Sequence, residues 1–123
     1  MLKAFLLVAG LGKRLRPLTN DIPKCLIPIG GKPLLQIWLD HLCKHGINEV
    51  LINTHWHHEK MEKFISTDYA DFSDYKEPKN KRKGSPKVHL FYESDLLGSA
   101  GTLLANRSWV ADGQPFLSCM VII

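Results

Sequence analysis

Short apolar runs alternate with segments of helical periodicity along this chain, and that alternation limits the folds it can adopt. Four stretches have the length and composition of strands, at 3–9, 49–53, 87–92 and 116–123. Three intervening stretches favour helices, at 33–45, about 58–66 and 99–107. Strands that alternate with helices form right-handed crossovers in a parallel sheet. We therefore predict an α/β fold with a doubly wound, Rossmann-like sheet, in which ligands bind at the carboxyl ends of the strands.

Three residues mark the predicted helix boundaries. Pro33 suits the first turn of one helix and Gly46 its left-handed end, and Ser99 is placed to cap a later helix through its hydroxyl. The chain has 123 residues, of which 45% are hydrophobic, the size of one domain with one core. No apolar run approaches the roughly 20 residues that span a bilayer, and no secretory signal pattern is present. We expect a cytoplasmic protein without a membrane partner.

The net charge of +4 comes from two separate basic patches. Residues 1–33 carry six Lys or Arg against Asp21, and residues 76–87 carry six against Glu77. The second patch lies in a polar, turn-rich stretch at about 68–86 and has no interleaved aromatic residues. We predict an exposed loop there and no nucleic-acid partner. The three cysteines match neither zinc nor redox spacing, so we expect reduced thiols.

A glycine pair, Gly10 and Gly12, directly follows the first predicted strand. Such a turn lets the backbone approach a ligand closely, and its successive N–H groups form a concavity that suits phosphate. The dinucleotide fingerprint is excluded because its third glycine would fall at Leu15. A Walker P-loop is excluded because neither Lys13 nor Lys32 is followed by Ser or Thr.

Three motifs occur in order: GLGKRLRPLT at 10–19, PKCLIPIGGKPLL at 23–35 and ESDLLGSAGTL at 93–103. Together they resemble the sugar-1-phosphate nucleotidyltransferase family of NDP-sugar pyrophosphorylases, especially its mannose-1-phosphate guanylyltransferase-like members. The resemblance implies that residues 1–123 are the N-terminal nucleotide-binding part of a nucleotidyltransferase domain. It also implies that the fold is truncated after about the fourth strand and that the sugar-binding half is missing.

The resemblance implies transfer of NMP from an NTP to a sugar 1-phosphate, which yields an NDP-sugar and pyrophosphate. Arg14 would hold the triphosphate and Lys24 would contact the α-phosphate, and these are the candidate catalytic residues. Leu97 and Gly98 would present backbone groups to the base, and Gly101 would let its helix pack closely. The full set of candidate nucleotide-binding residues is Ala9, Gly10, Leu11, Gly12, Lys13, Arg14, Lys24, Glu93, Leu97, Gly98, Ser99 and Gly101.

Two other functions stay open at this stage. One is a phosphocholine cytidylyltransferase-like enzyme of the same fold, and the other is a non-catalytic nucleotide-binding or interaction module. His55, His57 and His58 could suggest a metal cluster, but we interpret them as surface histidines of a strand-to-helix turn because ligand spacing is lacking.

The family pattern implies Mg²⁺ bound by aspartates, the first of which follows the strand equivalent to 116–123. The chain reads to Ile123 without that aspartate, so we expect no metal ligand in it. We hypothesise a frameshift here, because one permissible encoding of 116–123, with one base restored, would read Phe-Phe-Ile-Met-His-Gly-Asp-Asn. An in-frame boundary is the rival hypothesis. The apolar edge of such a strand would favour self-pairing into a homo-oligomer.

The missing aspartates lead to a prediction about activity. We expect the purified chain to show no measurable nucleotidyl transfer with any combination of NTP and sugar 1-phosphate. Pyrophosphate release in the presence of Mg²⁺ is the measurement, and Mg²⁺-dependent pyrophosphate formation would contradict the expectation.

Overall fold

The computed structural model describes residues 2–68 and 86–120, and its centre is a four-stranded parallel sheet. The strands of this sheet are β1 (Leu2–Leu7), β4 (Ile47–Thr54), β5 (Lys87–Tyr92) and β6 (Phe116–Met120). Two further strands, β2 (Pro28–Ile29) and β3 (Lys32–Pro33), form a small antiparallel hairpin. The order in the main sheet is β5-β4-β1-β6, so the predicted α/β class is confirmed.

Within residues 2–68 and 86–120, three α-helices connect the strands. They are α1 (Leu34–Lys44), α2 (His58–Lys63) and α3 (Gly98–Ala105). The first begins after Pro33 and ends before Gly46, whose φ of 79° is left-handed, as the sequence predicts. The second continues into a π-helical segment, Phe64–Asp68. Short 3₁₀ turns occupy Lys13–Leu15, Leu18–Asn20, Lys24–Leu26 and Arg107–Val110.

Side chains of β1 alternate between two apolar clusters, one on each face of the sheet. On one face Leu6 belongs to the cluster that includes Leu39 of α1 and Met61 of α2. On the other face Phe5 packs edge-to-face on Trp109, with the ring centroids 5.1 Å apart. Helical segments therefore cover both faces, which makes the sheet doubly wound.

The strand order reverses beside β1. From β1 the chain passes to β4 and then β5 on one side, and it returns to place β6 against the other side of β1. Open sheets of this type form a crevice at the carboxyl edge where the order reverses. The segment that follows β1 therefore begins at the mouth of that crevice.

Two details differ from the sequence-based expectations. Ser99 does not cap its helix. The helix α3 begins at Gly98, Leu97 occupies the N-cap position, and no side-chain capping hydrogen bond is formed there. The hydroxyl of Ser99 instead donates to the sulfur of Met120 at 3.3 Å. The hairpin of β2 and β3 was not predicted, because its strands have two residues each and Gly30-Gly31 supplies the turn between them.

Two predicted features lie partly or wholly outside the described residues. Of the loop expected at about 68–86, residues 69–85 are not described, and β6 is described only to Met120. Within the described residues, β6 is the end strand of the sheet, and Phe116, Leu117 and Met120 are exposed on it. None of the helices in the described ranges combines the length and apolar character needed to cross a bilayer.

None of the three cysteines forms a disulfide. Cys25 is buried, and its Sγ–H donates to the sulfur of Met61 at 3.3 Å. Burial raises the pKa of the Cys25 thiol to about 12, although the charge of Lys24 acts in the opposite direction. Cys25 therefore behaves as a small apolar core residue at neutral pH.

The packing of α1 against the sheet predicts the effect of one truncation. Leu39→Ala removes a fully buried side chain and should lower the free energy of unfolding by about 2–5 kcal/mol. Leu104→Ala is the matched control because Leu104 lies in α3 and is 62% exposed. It should change stability by about 0.5 kcal/mol or less. Urea denaturation of both variants checks this, and equal losses would contradict the assignment of the core.

Candidate functional site: a cationic cavity at the strand ends

A cavity of about 520 Å³ opens at the carboxyl edge of the sheet, next to the point of order reversal. Ten of the twelve candidate nucleotide-binding residues line it: Ala9, Gly10, Leu11, Gly12, Lys13, Arg14, Lys24, Glu93, Gly98 and Ser99. Residues that the sequence analysis did not select also line it: Leu7, Leu15, Asn53, Leu96 and Met120. Segments that are far apart in sequence are thus brought together as predicted.

The glycine turn has one position that requires glycine. Gly12 adopts a left-handed backbone with φ 65° and ψ 32°. A Cβ atom there would lie 2.6 Å from Cγ2 of Thr19, which is too close for any side chain to fit. Thr19 is fully buried, and its hydroxyl donates to the carbonyl of Gly12 at 2.6 Å. Thr19 therefore fixes the conformation of the turn, through its hydrogen bond to Gly12 and its packing against that residue.

Several backbone N–H groups of this turn are available as hydrogen-bond donors to a ligand. The amides of Leu15 and Arg16 donate to Gly12 and Lys13 within the 3₁₀ turn. Among the hydrogen bonds of the described residues, none uses the amides of 10–14. Consecutive amides of this kind form the concave anion sites found in phosphate-binding loops. The site can therefore bind phosphate oxygens through its backbone.

Three cationic side chains surround the same turn. Lys13 and Arg14 are exposed on the 3₁₀ turn Lys13–Leu15, and Lys24 lines the cavity from the 3₁₀ turn Lys24–Leu26. The ammonium of Lys24 lies against Gly10, 3.3 Å from where a Cβ atom on that residue would be. A side chain at position 10 would thus crowd this ammonium, so glycine there lets Lys24 lie close to the turn.

A buried amide joins the glycine turn to the neighbouring strand. Asn53, at the carboxyl end of β4, is 6% exposed. Its Oδ1 accepts hydrogen bonds from the amides of Val8 at 2.7 Å and Ala9 at 3.2 Å. Its Nδ2 donates to Glu93 Oε2 at 3.3 Å. One side chain therefore ties the end of β1 to the segment after β5.

Glu93 is the one carboxylate among the residues that line the cavity, and it is 3% exposed. It accepts a hydrogen bond from the hydroxyl of Thr102 in addition to that from Asn53. The Glu93 carbonyl is bonded to Nδ1 of His55 at 2.7 Å, and its amide donates to Thr54 at 2.8 Å. Its carboxylate is thus engaged within the protein, where it links β5 to α3.

The start of α3 forms the remaining wall of the cavity. Gly98 and Ser99 line it, whereas Leu97 and Gly101 do not. A Cβ atom on Gly101 would lie 2.9 Å from Cβ of Leu97, so glycine at 101 allows the helix start to close tightly on Leu97. Direct binding of a nucleotide by Leu97 and Gly101 stays a prediction.

Sequence reasoning missed Asn53 and Thr102. A polar residue at the end of the apolar run in β4 is a weak signal for Asn53, but its partners lie 40 to 49 positions away along the chain. Thr102 sits inside the third motif with no pattern of its own. Only the tertiary structure shows that both are buried and bonded to Glu93.

The histidines make hydrogen bonds to loops and side chains. His57 bonds through Nε2 to the carbonyl of Asn20 at 2.6 Å, and His58 lies within 3.3 Å of Glu59 and Glu62. In the described ranges no group of three His, Cys, Asp or Glu residues is arranged to hold a metal ion. The donor set there therefore does not fit Mg²⁺, which prefers several oxygen ligands.

Comparisons with known proteins agree with this geometry. The fold and the site define an α/β protein with a cationic cavity at the strand ends. Residues 3–123 match the family described as nucleotidyl transferase. The chain belongs to that family.

Two curated relatives are guanylyltransferases. The chain is 36% identical over 115 residues to the mannose-1-phosphate guanylyltransferase catalytic subunit beta of Dictyostelium discoideum, covering 94% of this chain and 29% of that protein. It is 39% identical over 102 residues to the D-glycero-alpha-D-manno-heptose 1-phosphate guanylyltransferase of Aneurinibacillus thermoaerophilus, covering 83% of this chain and 38% of that protein. The chain thus spans about a third of the length of these relatives.

A solved structure has the same fold. The crystal structure of UDP-glucose pyrophosphorylase complexed with UDP-glucose superposes with a TM-score of 0.73 at 23% identity, covering 98% of this chain and 45% of that one. This likeness confirms the Rossmann-like nucleotidyltransferase fold predicted from the sequence.

The contacts of Asn53 predict a large effect of its removal. Asn53→Ala would leave two buried amides and the Glu93 carboxylate without their partner and should lower the free energy of unfolding by about 2–4 kcal/mol. Asn48→Ala is the control, since Asn48 lies in the same strand and accepts one exposed amide of Leu2. Asn48→Ala should lower the free energy of unfolding by less than about 1 kcal/mol. Denaturant titration of both variants measures the free energy of unfolding. If Asn53→Ala left it nearly unchanged, the hydrogen bonds of Asn53 would not stabilise the fold as proposed.

Proposed function

We propose that this chain forms the nucleotide-binding part of an enzyme that transfers a nucleoside monophosphate from a nucleoside triphosphate to a sugar 1-phosphate. The products are an NDP-sugar and pyrophosphate. The observation that supports this best is the cavity at the strand ends, where three cations and a run of free backbone amides meet. The sugar 1-phosphate acceptor is supported by the names of the guanylyltransferase relatives.

The cations have a clear task in this reaction. Both substrates are anionic, so the site must offset the repulsion between their phosphates. Arg14, with its planar fork of donors, suits oxygens of the β- and γ-phosphates. Lys24 lies beside Gly10, so a phosphate seated on the turn would contact its ammonium directly. Lys13 adds positive potential at the rim.

The chemical step is a displacement at phosphorus. A phosphate oxygen of the sugar 1-phosphate attacks the α-phosphorus, and the bond between that phosphorus and the oxygen bridging to the β-phosphate breaks. Pyrophosphate leaves with the electron pair of that bond. Lys24 would stabilise the charge that develops on the α-phosphate, and Arg14 together with the turn amides would stabilise the leaving pyrophosphate.

The base would lie on the other side of the cavity. Gly98 and Ser99 line that wall at the start of α3, and Glu93 holds it in place through Thr102. Backbone groups there can bond to a base edge without a specific side chain, so the cavity defines a nucleoside site without selecting the base. The sugar-binding part and the aspartates that hold Mg²⁺ in the family pattern would come from residues beyond the described ones.

A binding experiment tests the proposal. Removal of both candidate catalytic cations, in Arg14→Ala combined with Lys24→Ala, should weaken NTP binding by about 100-fold or more at low salt, since each charge-assisted contact contributes about 1.5–3 kcal/mol. Isothermal titration with GTP, UTP, CTP and dTTP measures the affinity. The effect should shrink as salt is raised.

The control variant removes two positive charges at positions away from the cavity. Lys44 ends α1 and Lys87 begins β5, so both lie at the amino end of the sheet, away from the cavity. Lys44→Ala combined with Lys87→Ala should leave the affinity within about twofold, as expected for screened, distant charges. Equal losses in the two double variants would show a nonspecific charge effect, and no loss in either would remove Arg14 and Lys24 from the site.

A further inference from the structure

The turn between β4 and α2, together with the start of α2, contacts three successive carbonyls on the phosphate side of the cavity, which comprises the glycine turn and the residues that follow it to position 21. Nε1–H of Trp56 donates to the carbonyl of Thr19 at 2.8 Å. Nε2 of His57 bonds to the carbonyl of Asn20 at 2.6 Å, and because a carbonyl only accepts, that nitrogen carries the proton. The ammonium of Lys60 donates to the next carbonyl, that of Asp21. Neither Trp56 nor His57 nor Lys60 lines the cavity.

The contact of Trp56 continues into the glycine turn. The hydroxyl of Thr19 donates to the carbonyl of Gly12, and its methyl group occupies the space that a side chain at position 12 would need. The same Gly12 carbonyl accepts the amide of Leu15, which closes the 3₁₀ turn carrying Arg14. A chain of hydrogen bonds therefore runs from the indole to the backbone that presents the arginine.

We propose that Trp56 is a positioning residue of the nucleotide site, which fixes the glycine turn and the backbone of Arg14 through Thr19. Asn53 secures the start of the same turn, so both ends of 8–19 are tied to the end of β4. Neighbouring His55 ties Glu93 to that point as well. The histidine-rich segment thus joins the phosphate side and the base side of the cavity to one rigid strand end.

This inference rests on the proposed function for the identity of the ligand, but the constraint on the turn can be measured without any ligand. Trp56→Phe deletes the N–H donor and keeps most of the aromatic packing. Trp38→Phe is the matched control, since Trp38 packs against the core from α1 and lies outside the cavity lining. Hydrogen exchange followed by mass spectrometry reports on the amides of 12–22 in both variants.

In Trp56→Phe the amides of Leu15, Arg16 and Asn20 should exchange about 3- to 10-fold faster. This increase corresponds to the free energy of one lost hydrogen bond. The amides of α1 and β4 should be unchanged, and Trp38→Phe should leave 12–22 as in the parent chain. Unchanged exchange in Trp56→Phe, or an acceleration spread evenly over the whole chain, would overturn the proposal.

A second variant tests the relay itself. Thr19→Val keeps the shape of the buried side chain and removes only the hydroxyl that bonds to Gly12. Because the two bonds act in series, the double variant with Trp56→Phe should loosen the turn no more than the more severe single variant. Additive loosening would mean that the two residues act independently and would contradict the relay.

Titration with GTP separates this inference from the proposed function. Trp56→Phe should raise the Kd by about 3- to 10-fold. If the parent chain binds no GTP but Trp56→Phe still loosens 12–22, the proposed ligand is wrong and the constraint on the turn stands. If the parent binds GTP and Trp56→Phe alters neither exchange nor Kd, the positioning role fails.

Discussion

A buried amide at the end of β4 is the interaction on which the arrangement of the cavity depends. The carbonyl oxygen of Asn53 bonds to two consecutive amides where β1 gives way to the glycine turn, and its NH₂ group bonds to Glu93. Without it, these buried polar groups would need other hydrogen-bond partners. The glycine turn, the base side and the start of α3 thus share one point of support.

The cavity combines a wall held by buried hydrogen bonds with long cationic side chains. This wall consists of backbone amides and buried hydrogen bonds through Thr19, Asn53, Glu93 and Thr102. Its charges are Lys13, Arg14 and Lys24, the first two on exposed side chains. Preorganised amides bind an anion without rearranging, whereas long cationic side chains can follow phosphates as charge moves during transfer. Such a division of roles suits a reaction in which a phosphate group changes partner.

The alternation of apolar runs and helical segments was enough to predict the order of the main strands and helices along the chain and the sheet edge at which the cavity opens. Local patterns worked where a residue acts through its own backbone, as Gly12 and Gly46 do. They failed where the partner is distant or the element is short. Ser99 looks like a cap but bonds to Met120, and the hairpin of 28–33 is too brief to show periodicity. Asn53 and Trp56 act only through contacts that folding creates.

The central claim is that a nucleoside triphosphate lies across the glycine turn and the start of α3. Two-dimensional NMR of the ¹⁵N-labelled chain, titrated with GTP, tests it most directly, because each backbone amide reports separately. The account predicts that the amides of 10–14 shift most and that those of 97–99 shift with the same affinity, while α1 stays unchanged. Shifts confined to surfaces outside the cavity, or the absence of any shift at 10–14, would contradict it.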